Sequence, residues 1–389
     1  MPPSSALSSP NPSTASTTAP ASPASASAIS AISTVSTVST RRSSARPEER
    51  LLDDVDLDLV AALQLAPRTP VNALAEVLDS SPSTIARRLA RLRAERLLRV
   101  VGRLDWPLIT TENPRQVWIT CEPGRSQEVA RRILELAEVQ TLLLTTGSAD
   151  LYCSVYPLLG TDIFDLLTHR LPGIPGIVST ESQLVLRAYT MGQSWRLHRL
   201  SEEQTGRLRE HAVQITQERR TSPDELSELE RRTLELMVDN GRIPAADIAR
   251  ELDVSRSTAY RTSQALLESG ALWPRVEIEP ALLGYPLTAL LSLTVLPQAI
   301  PRLLDTLGGH PSARYVSMVA GSTSVIHHGV FRDEEDLADF ITTDLGAFPE
   351  VTRVNTCVGV RVLRRHWTAR DGVRLGSRVD GFLRRNAPD

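Results

Sequence analysis

The sequence predicts an α+β chain in which two modules, one helical and one of β-α-β-β-α-β order, each occur twice. Three observations predict it. Residues 73–98 read as two short helices joined by a tight turn, with arginine crowding the second. Residues 115–190 change rhythm, alternating apolar runs of strand period with two amphipathic stretches of helical period. Both patterns return after an offset of 174 residues (Arg261 against Arg87) without a gap. Ala75, Leu78, Asp79, Ser81, Ser83, Thr84, Arg87, Leu92 and Leu98 recur as Ala249, Leu252, Asp253, Ser255, Ser257, Thr258, Arg261, Leu266 and Leu272. So many residue types in register mark a duplication.

Composition bounds the function classes. The 389 residues leave room for several domains, and 41% hydrophobic with 23% charged residues is ordinary for a globular chain. A net charge of −3 advertises no general affinity for nucleic acid, so any DNA-binding charge must sit in patches. Cys121, Cys153 and Cys357 are odd in number, far apart and without a C-x-x-C pair. They support neither a disulfide framework nor a zinc site, and a reducing cytoplasm fits them best. No apolar run approaches the roughly 18 residues that span a membrane.

In chain order, residues 1–50 are dominated by Ser, Ala, Thr and Pro, and 1–40 carry no charged side chain. Such a segment buries too little apolar surface to order itself and is expected to be disordered. A start codon assigned too early accounts for it equally well. Residues 51–105 make the first helical module. Val55, Leu59, Val60 and Leu63 line one helix, Pro67 and Pro70 end it, and the two-helix motif follows. Asp79-Ser80 breaks the motif, Ser81 is placed as N-cap, and Pro82 stands at the first helical position. With a strand hairpin from about 97 onward, this makes a winged helix-turn-helix, and 105–114 a linker. Residues 115–190 give strands at 116–121, 139–145, 151–156 and 177–188, with helices at 126–136 and 163–171, a ferredoxin-like order. Residues 191–222 read as a polar linker, 224–279 as the second winged helix and 285–366 as the second ferredoxin-like unit. There Gly321-Ser322, Pro349 and Arg361 answer Gly147-Ser148, Pro175 and Arg187. The Arg- and Gly-rich residues 367–389 read as a flexible tail.

Asp56…Leu63-Gln64…Arg68, Leu74-Ala75, Ser81-Pro82-Ser83-Thr84, Arg87-Arg88-Leu89 and Leu92 resemble the DNA-binding half of the Lrp/AsnC family of bacterial transcriptional regulators. Gly147-x-x-Asp150 resembles the loop of that family's effector domain. The resemblance covers 51–190 once and 224–365 again. It implies a sequence-specific DNA-binding regulator that answers to a small metabolite such as an amino acid and assembles as a homo-oligomer. With both copies in one chain, an intrachain pseudo-dimer is the other expectation. Two departures stand out. Arg96 occupies the helix-ending place that glycine usually takes and that Gly270 keeps, and Ser324 stands where the first copy has Asp150.

The candidate DNA contacts are Ser81, Ser83, Thr84, Arg87, Arg88 and Arg91 in the first copy. In the second they are Ser255, Arg256, Ser257, Thr258, Tyr260 and Arg261. Phosphate contacts need cations and base edges need hydrogen-bond donors on one exposed helix. Seven arginines between 87 and 103 face one acid, Glu95, while Thr262 and Ala265 replace Arg88 and Arg91 in the second copy. The first motif is therefore expected to supply most of the affinity. Gly147, Asp150, Gly321 and Ser324 are the candidate effector contacts, with Asp150 facing an amino group. His327 and His328 point to opposite faces of a strand and the other histidines are scattered, so no metal is expected. No nucleophile elbow, P-loop or dinucleotide fingerprint occurs, and no cofactor or catalysis is expected. The rival is a sirohaem-decarboxylase-like enzyme, since those proteins are similar to this family and occur as fused pairs. It would need basic and histidine side chains in the sheet cleft and would leave the helix-turn-helix a relic.

Overall fold

The computed structural model describes residues 51–110, 112–190, 195–214 and 223–379. The 1–50 tail, part of the 191–222 linker and the last ten residues lie outside them. Chain order begins with α1 (Asp54–Leu65), α2 (Val71–Val77), α3 (Pro82–Ala94) and β1 (Arg99–Leu104). The first sheet module follows as β2 (Arg115–Cys121), α4 (Ser126–Ile133), β3 (Val139–Thr146), β4 (Leu151–Val155), α5 (Ile163–Asp165) and β5 (Ile177–Thr190). After α6 (Glu202–Arg209), the second helical module brings α7 (Glu228–Asp239), α8 (Ala245–Leu252), α9 (Arg256–Glu268) and β6 (Leu272–Glu277). The second sheet module is β7 (Leu287–Val295), α10 (Ile300–Gly309), β8 (Ala313–Ala320), β9 (Val325–Phe331), α11 (Glu334–Asp339) and β10 (Val351–Arg365). It is followed by β11 (Thr368–Asp371) and β12 (Arg374–Arg378). Both α5 and α11 run on into a π-helical turn, Leu166–Arg170 and Phe340–Asp344, at equivalent positions.

Each sheet module has the expected ferredoxin-like strand order, β3-β4-β2-β5 and β8-β9-β7-β10. The modules then pair with one another. β5 runs antiparallel to β8 with Leu184 opposite Ala320, and β10 to β3 with Val358 opposite Thr146. These are the same contact made twice, because Val358 is the copy of Leu184 and Ala320 that of Thr146. Since β7 and β10 also pair, the eight strands close into a ring without a free edge between the copies. Trp118, Leu143, Tyr152, Val185, Leu290, Val319, Ile326 and Cys357 fill the space between the two sheets, while the helices cover the outer faces.

The expected wing hairpin within each helical module does not form. Each module has one strand, and β1 pairs antiparallel with β6 of the other copy. Val101 lies opposite Arg275, its own equivalent, so the pseudo-two-fold axis passes through that pair. A strand without a neighbour leaves its ladder groups unpaired, and here each strand satisfies the half of the other's that face it. Arg68 donates to the Gly241 carbonyl at 2.5 Å, and its copy Arg242 donates to the carbonyls of Pro67 and Thr69 at 2.6 and 2.8 Å.

Two supposedly irregular stretches are structured. Within the 191–222 linker, Trp195 and Leu208 join the first helical core, Arg199 pairs with Asp54 and Asp58, and Arg207 with Glu76. The start of the 367–389 tail is the β11–β12 hairpin, extending the sheet from β10. Leu375 is fully buried and its N–H reaches the Arg96 carbonyl at 2.7 Å. Its order comes from backbone pairing and arginine-to-carbonyl bonds, which leave no apolar periodicity in the sequence.

Candidate nucleic-acid interface

Both second helices of the motifs start alike. Ser81 accepts from the Thr84 N–H and Ser255 from the Thr258 N–H, each at 3.1 Å, and each serine hydroxyl also meets the threonine hydroxyl at 2.8 Å. Asp79 and Asp253 both adopt left-handed backbone, φ 48° and 52°, to end α2 and α8 and make the tight turn. Aspartate is one of the few residues besides glycine that visits this region readily. Ile85 and Leu92 bury the inner face of α3, and Ala259, Ser263, Leu266 and Leu267 that of α9.

What remains outward differs from the charge count in the sequence. Ser83 and Arg87 on α3, and Arg256, Ser257, Tyr260 and Arg261 on α9, are exposed. Arg87, Arg256 and Arg261 form no hydrogen bond or ion pair with a described residue. Arg88 and Arg91 instead turn toward α1. Arg88 meets Asp53 at 2.7 Å and Asp56 at 2.8 Å, while Arg91 meets Asp56 at 2.5 Å and Glu95 at 3.3 Å. Asp53 caps α1 and Asp56 completes its capping box. Burial opposes ionisation of Asp53, but the Asp56 N–H and the Arg88 guanidinium outweigh it and hold its carboxyl below the ordinary range. Asp56 is wholly buried, and an ionised carboxylate there needs both guanidinium groups to replace its lost hydration.

The second copy dispenses with this lock as a set. Ser227 and Glu230 form the capping box of α7, and Thr262 and Ala265 stand opposite in place of the two arginines. Thus the arginines that differ between copies travel with the buried acid they satisfy. Of the remaining basic cluster, Arg93 is exposed and unpaired with any described residue, Arg96 lies 3.6 Å from Asp371, and Arg103 is turned inward. Arg96 carries φ 59°, taking the left-handed place that Gly270 fills with φ 75° in the second copy.

The effector loops lie on the seams between the copies. Gly147 has φ 115°, and a Cβ there would stand 2.8 Å from the Thr356 carbonyl oxygen of β10. Ser148 beside it contacts Asn355 at 2.9 Å and the Cys357 sulfur at 3.2 Å. Asp150 accepts from the Cys121 N–H at 2.7 Å. At the other seam a Cβ on Gly321 would meet Gln183 at 2.6 Å, and Ser322 contacts Gln183 at 3.0 Å. Ser324 stays within its own copy, its N–H reaching the Leu293 carbonyl at 2.9 Å.

Comparison with known proteins matches these modules one by one. The AsnC-type helix-turn-helix domain matches residues 52–93, and the Lrp/AsnC ligand binding domain matches twice, at 116–195 and 288–366. A winged helix-turn-helix DNA-binding domain matches 217–272. The HTH-type transcriptional regulator AldR of Mycobacterium tuberculosis is 27% identical over 168 residues, 41% of this chain and 94% of that protein. The HTH-type transcriptional regulator LrpA of Pyrococcus horikoshii is 27% identical over 130 residues, 33% of this chain and 92% of its own length. Among solved structures, the siroheme decarboxylase NirDL shares the fold over 80% of this chain and 92% of its own, with TM-score 0.54 and 14% identity. The single-copy regulators thus span less than half of this chain, and each half repeats their plan. The chain is a tandemly duplicated member of the Lrp/AsnC family of transcriptional regulators.

Proposed function

We propose that the chain is a sequence-specific DNA-binding transcriptional regulator whose two recognition helices belong to one polypeptide. One observation carries this reading: α3 and α9 both present arginines with no ionic or hydrogen-bond partner among the described residues, on an exposed, serine-capped helix face. Ser83 and Arg87 act from the first helix, and Arg256, Ser257, Tyr260 and Arg261 from the second. Ser81, Thr84, Ser255 and Thr258 start the helices and bring their N-termini toward phosphate. Arg88 and Arg91 contribute to DNA binding by fixing α3 against α1, so the two heads carry comparable free charge. This replaces the asymmetry expected from counting arginines.

A small-metabolite effector, such as an amino acid, acts in this reading through the seams at Gly147–Asp150 and Gly321–Ser324, where the copies touch. Further assembly into oligomers uses Val178 and Leu186 of β5 and Val354 and Val360 of β10, which are exposed apolar residues. The chain works in the cytoplasm, in keeping with three free, buried cysteines, and turns over no substrate.

Fluorescence anisotropy on a duplex selected by the purified chain tests the reading. Arg87→Ala and Arg261→Ala should each weaken binding and lower the salt slope by about 1, the signature of one lost phosphate contact. A protein that ignores DNA, or one coloured by a bound tetrapyrrole, would speak for the enzyme of the same fold.

A further inference from the structure

We infer that the interior beneath the wing strands holds a binding site for a small organic anion carrying two carboxylates, walled by both copies but with most of its cations drawn from the second. A cavity of about 60 Å³ lies there, lined by Arg103, Arg275, Arg314, Tyr315, His328 and Arg365 among others. A single water needs roughly 10–15 Å³ of such space, so the cavity has room for a small anion.

The charge around it does not balance. Five guanidinium groups, with Arg370 behind the lining, meet the two buried carboxylates of Glu277 and Glu279. Arg275 pairs with Glu277 at 2.5 Å, and Arg365 and Arg370 share Glu279 at 3.0 and 2.5 Å. Arg103 and Arg314 pair with no described carboxylate and lie instead over the rings of Trp273 and Trp195, at 5.6 and 4.9 Å. Burial pushes the Arg275 guanidinium down to about 10 and that of Arg314 down to about 9, and neighbouring guanidinium groups add to the shift. A buried polar atom of the lining also stands unused. Among the described residues the His328 Nε2, on a residue only 8% exposed, has no hydrogen-bond partner. Buried polar groups are ordinarily satisfied, so an open imidazole nitrogen beside the two carboxylate-free guanidinium groups marks the place of an anion. Planar guanidinium forks match carboxylates, and the aromatic walls of Trp106, Tyr152 and Tyr156 suit a carbon skeleton between them. An amino acid fits poorly, since both carboxylates that would receive its ammonium are already engaged.

The site exploits the duplication. Where the second copy has Arg275, Arg314, Tyr315 and His328, the first has Val101, Gln140, Thr141 and Ser154. A homodimer must repeat every charge across its axis, whereas a fused pair can concentrate them in one pocket. Arg103 and Arg275 sit on the paired strands β1 and β6 that join the two helical modules, and Arg314 and Arg365 on β8 and β10 of the sheet ring. An anion held by all four ties the effector ring to the strands that space the recognition helices. Its role as an effector rests on the regulator reading; its binding does not.

Isothermal titration of the full chain at 150 mM salt tests this, with oxalate, malonate and succinate as probes and acetate and inorganic phosphate as controls. One dicarboxylate should bind per chain. Arg314→Gln and His328→Ser, which import the first copy's own residues, should each weaken it by about tenfold or more, while Arg87→Ala leaves it unchanged. Circular dichroism melts confirm that each variant folds, and His328→Ser decides if Arg314→Gln does not. Two sites per chain, phosphate or acetate binding tighter than every dicarboxylate, no dicarboxylate bound, or unweakened binding in the folded variants would each overturn the site. DNA anisotropy on the same samples separates the claims: dicarboxylate binding without DNA binding would leave the site standing and sink the regulator.

Discussion

Arg87 and Arg88 are adjacent and of one type, yet the fold gives them different work. Arg87 faces solvent, while Arg88 is spent on Asp53 and on the buried Asp56. Arg88→Ala should therefore cost about 1–2 kcal/mol of stability, because Asp56 keeps Arg91 but loses one of two compensating cations. Arg87→Ala should leave the melting temperature within a degree or two of wild type and act only on DNA affinity. Thermal melts of the two variants, with Asp56→Asn partly rescuing Arg88→Ala, check this. Equal melting temperatures would return Arg88 to the DNA-facing set. The sequence made the cap residues and the apolar faces legible because those depend on neighbours three or four residues away. Which arginines were free was not legible, since Asp53 and Asp56 lie more than thirty positions from their partners.

At the scale of elements, periodicity located nearly every helix and strand, and the order β-α-β-β-α-β led to the observed sheet topology. Pairing partners were less legible. Nothing within residues 97–104 tells β1 to seek β6 in place of a local hairpin, because strand period is silent about which edge a strand joins. Gly102 carries the trace of that choice: a Cβ there would come within 2.7 Å of the Met237 carbonyl oxygen on α7. The Arg68–Arg242 exchange reinforces the same junction. Removing either arginine should cost about 1–2 kcal/mol, as expected for charge-assisted bonds to carbonyls, with similar effects because the two are equivalents. The double variant should lose affinity for a duplex with two half-sites while binding one half-site unchanged, as anisotropy on the two duplexes can read. Equal losses on both would assign the pair to folding alone.

For the whole molecule, the duplication makes one chain its own partner. The Val101–Arg275 pair, the reciprocal Arg68 and Arg242 bonds and the doubled β5–β8 and β10–β3 seams all obey one pseudo-two-fold axis. A homodimer is held to that symmetry at every residue, whereas this chain departs from it where function allows, at the arginine lock of α3 and in the charged interior. The siroheme decarboxylase NirDL shares the fold over 80% of this chain. The central claim is that a single chain places two recognition heads on DNA. Sedimentation of the purified chain on a selected duplex bearing one inverted repeat tests it most directly. One chain should occupy each duplex, and scrambling either half-site should weaken binding by at least tenfold; two chains per duplex, or binding indifferent to the loss of a half-site, would contradict it.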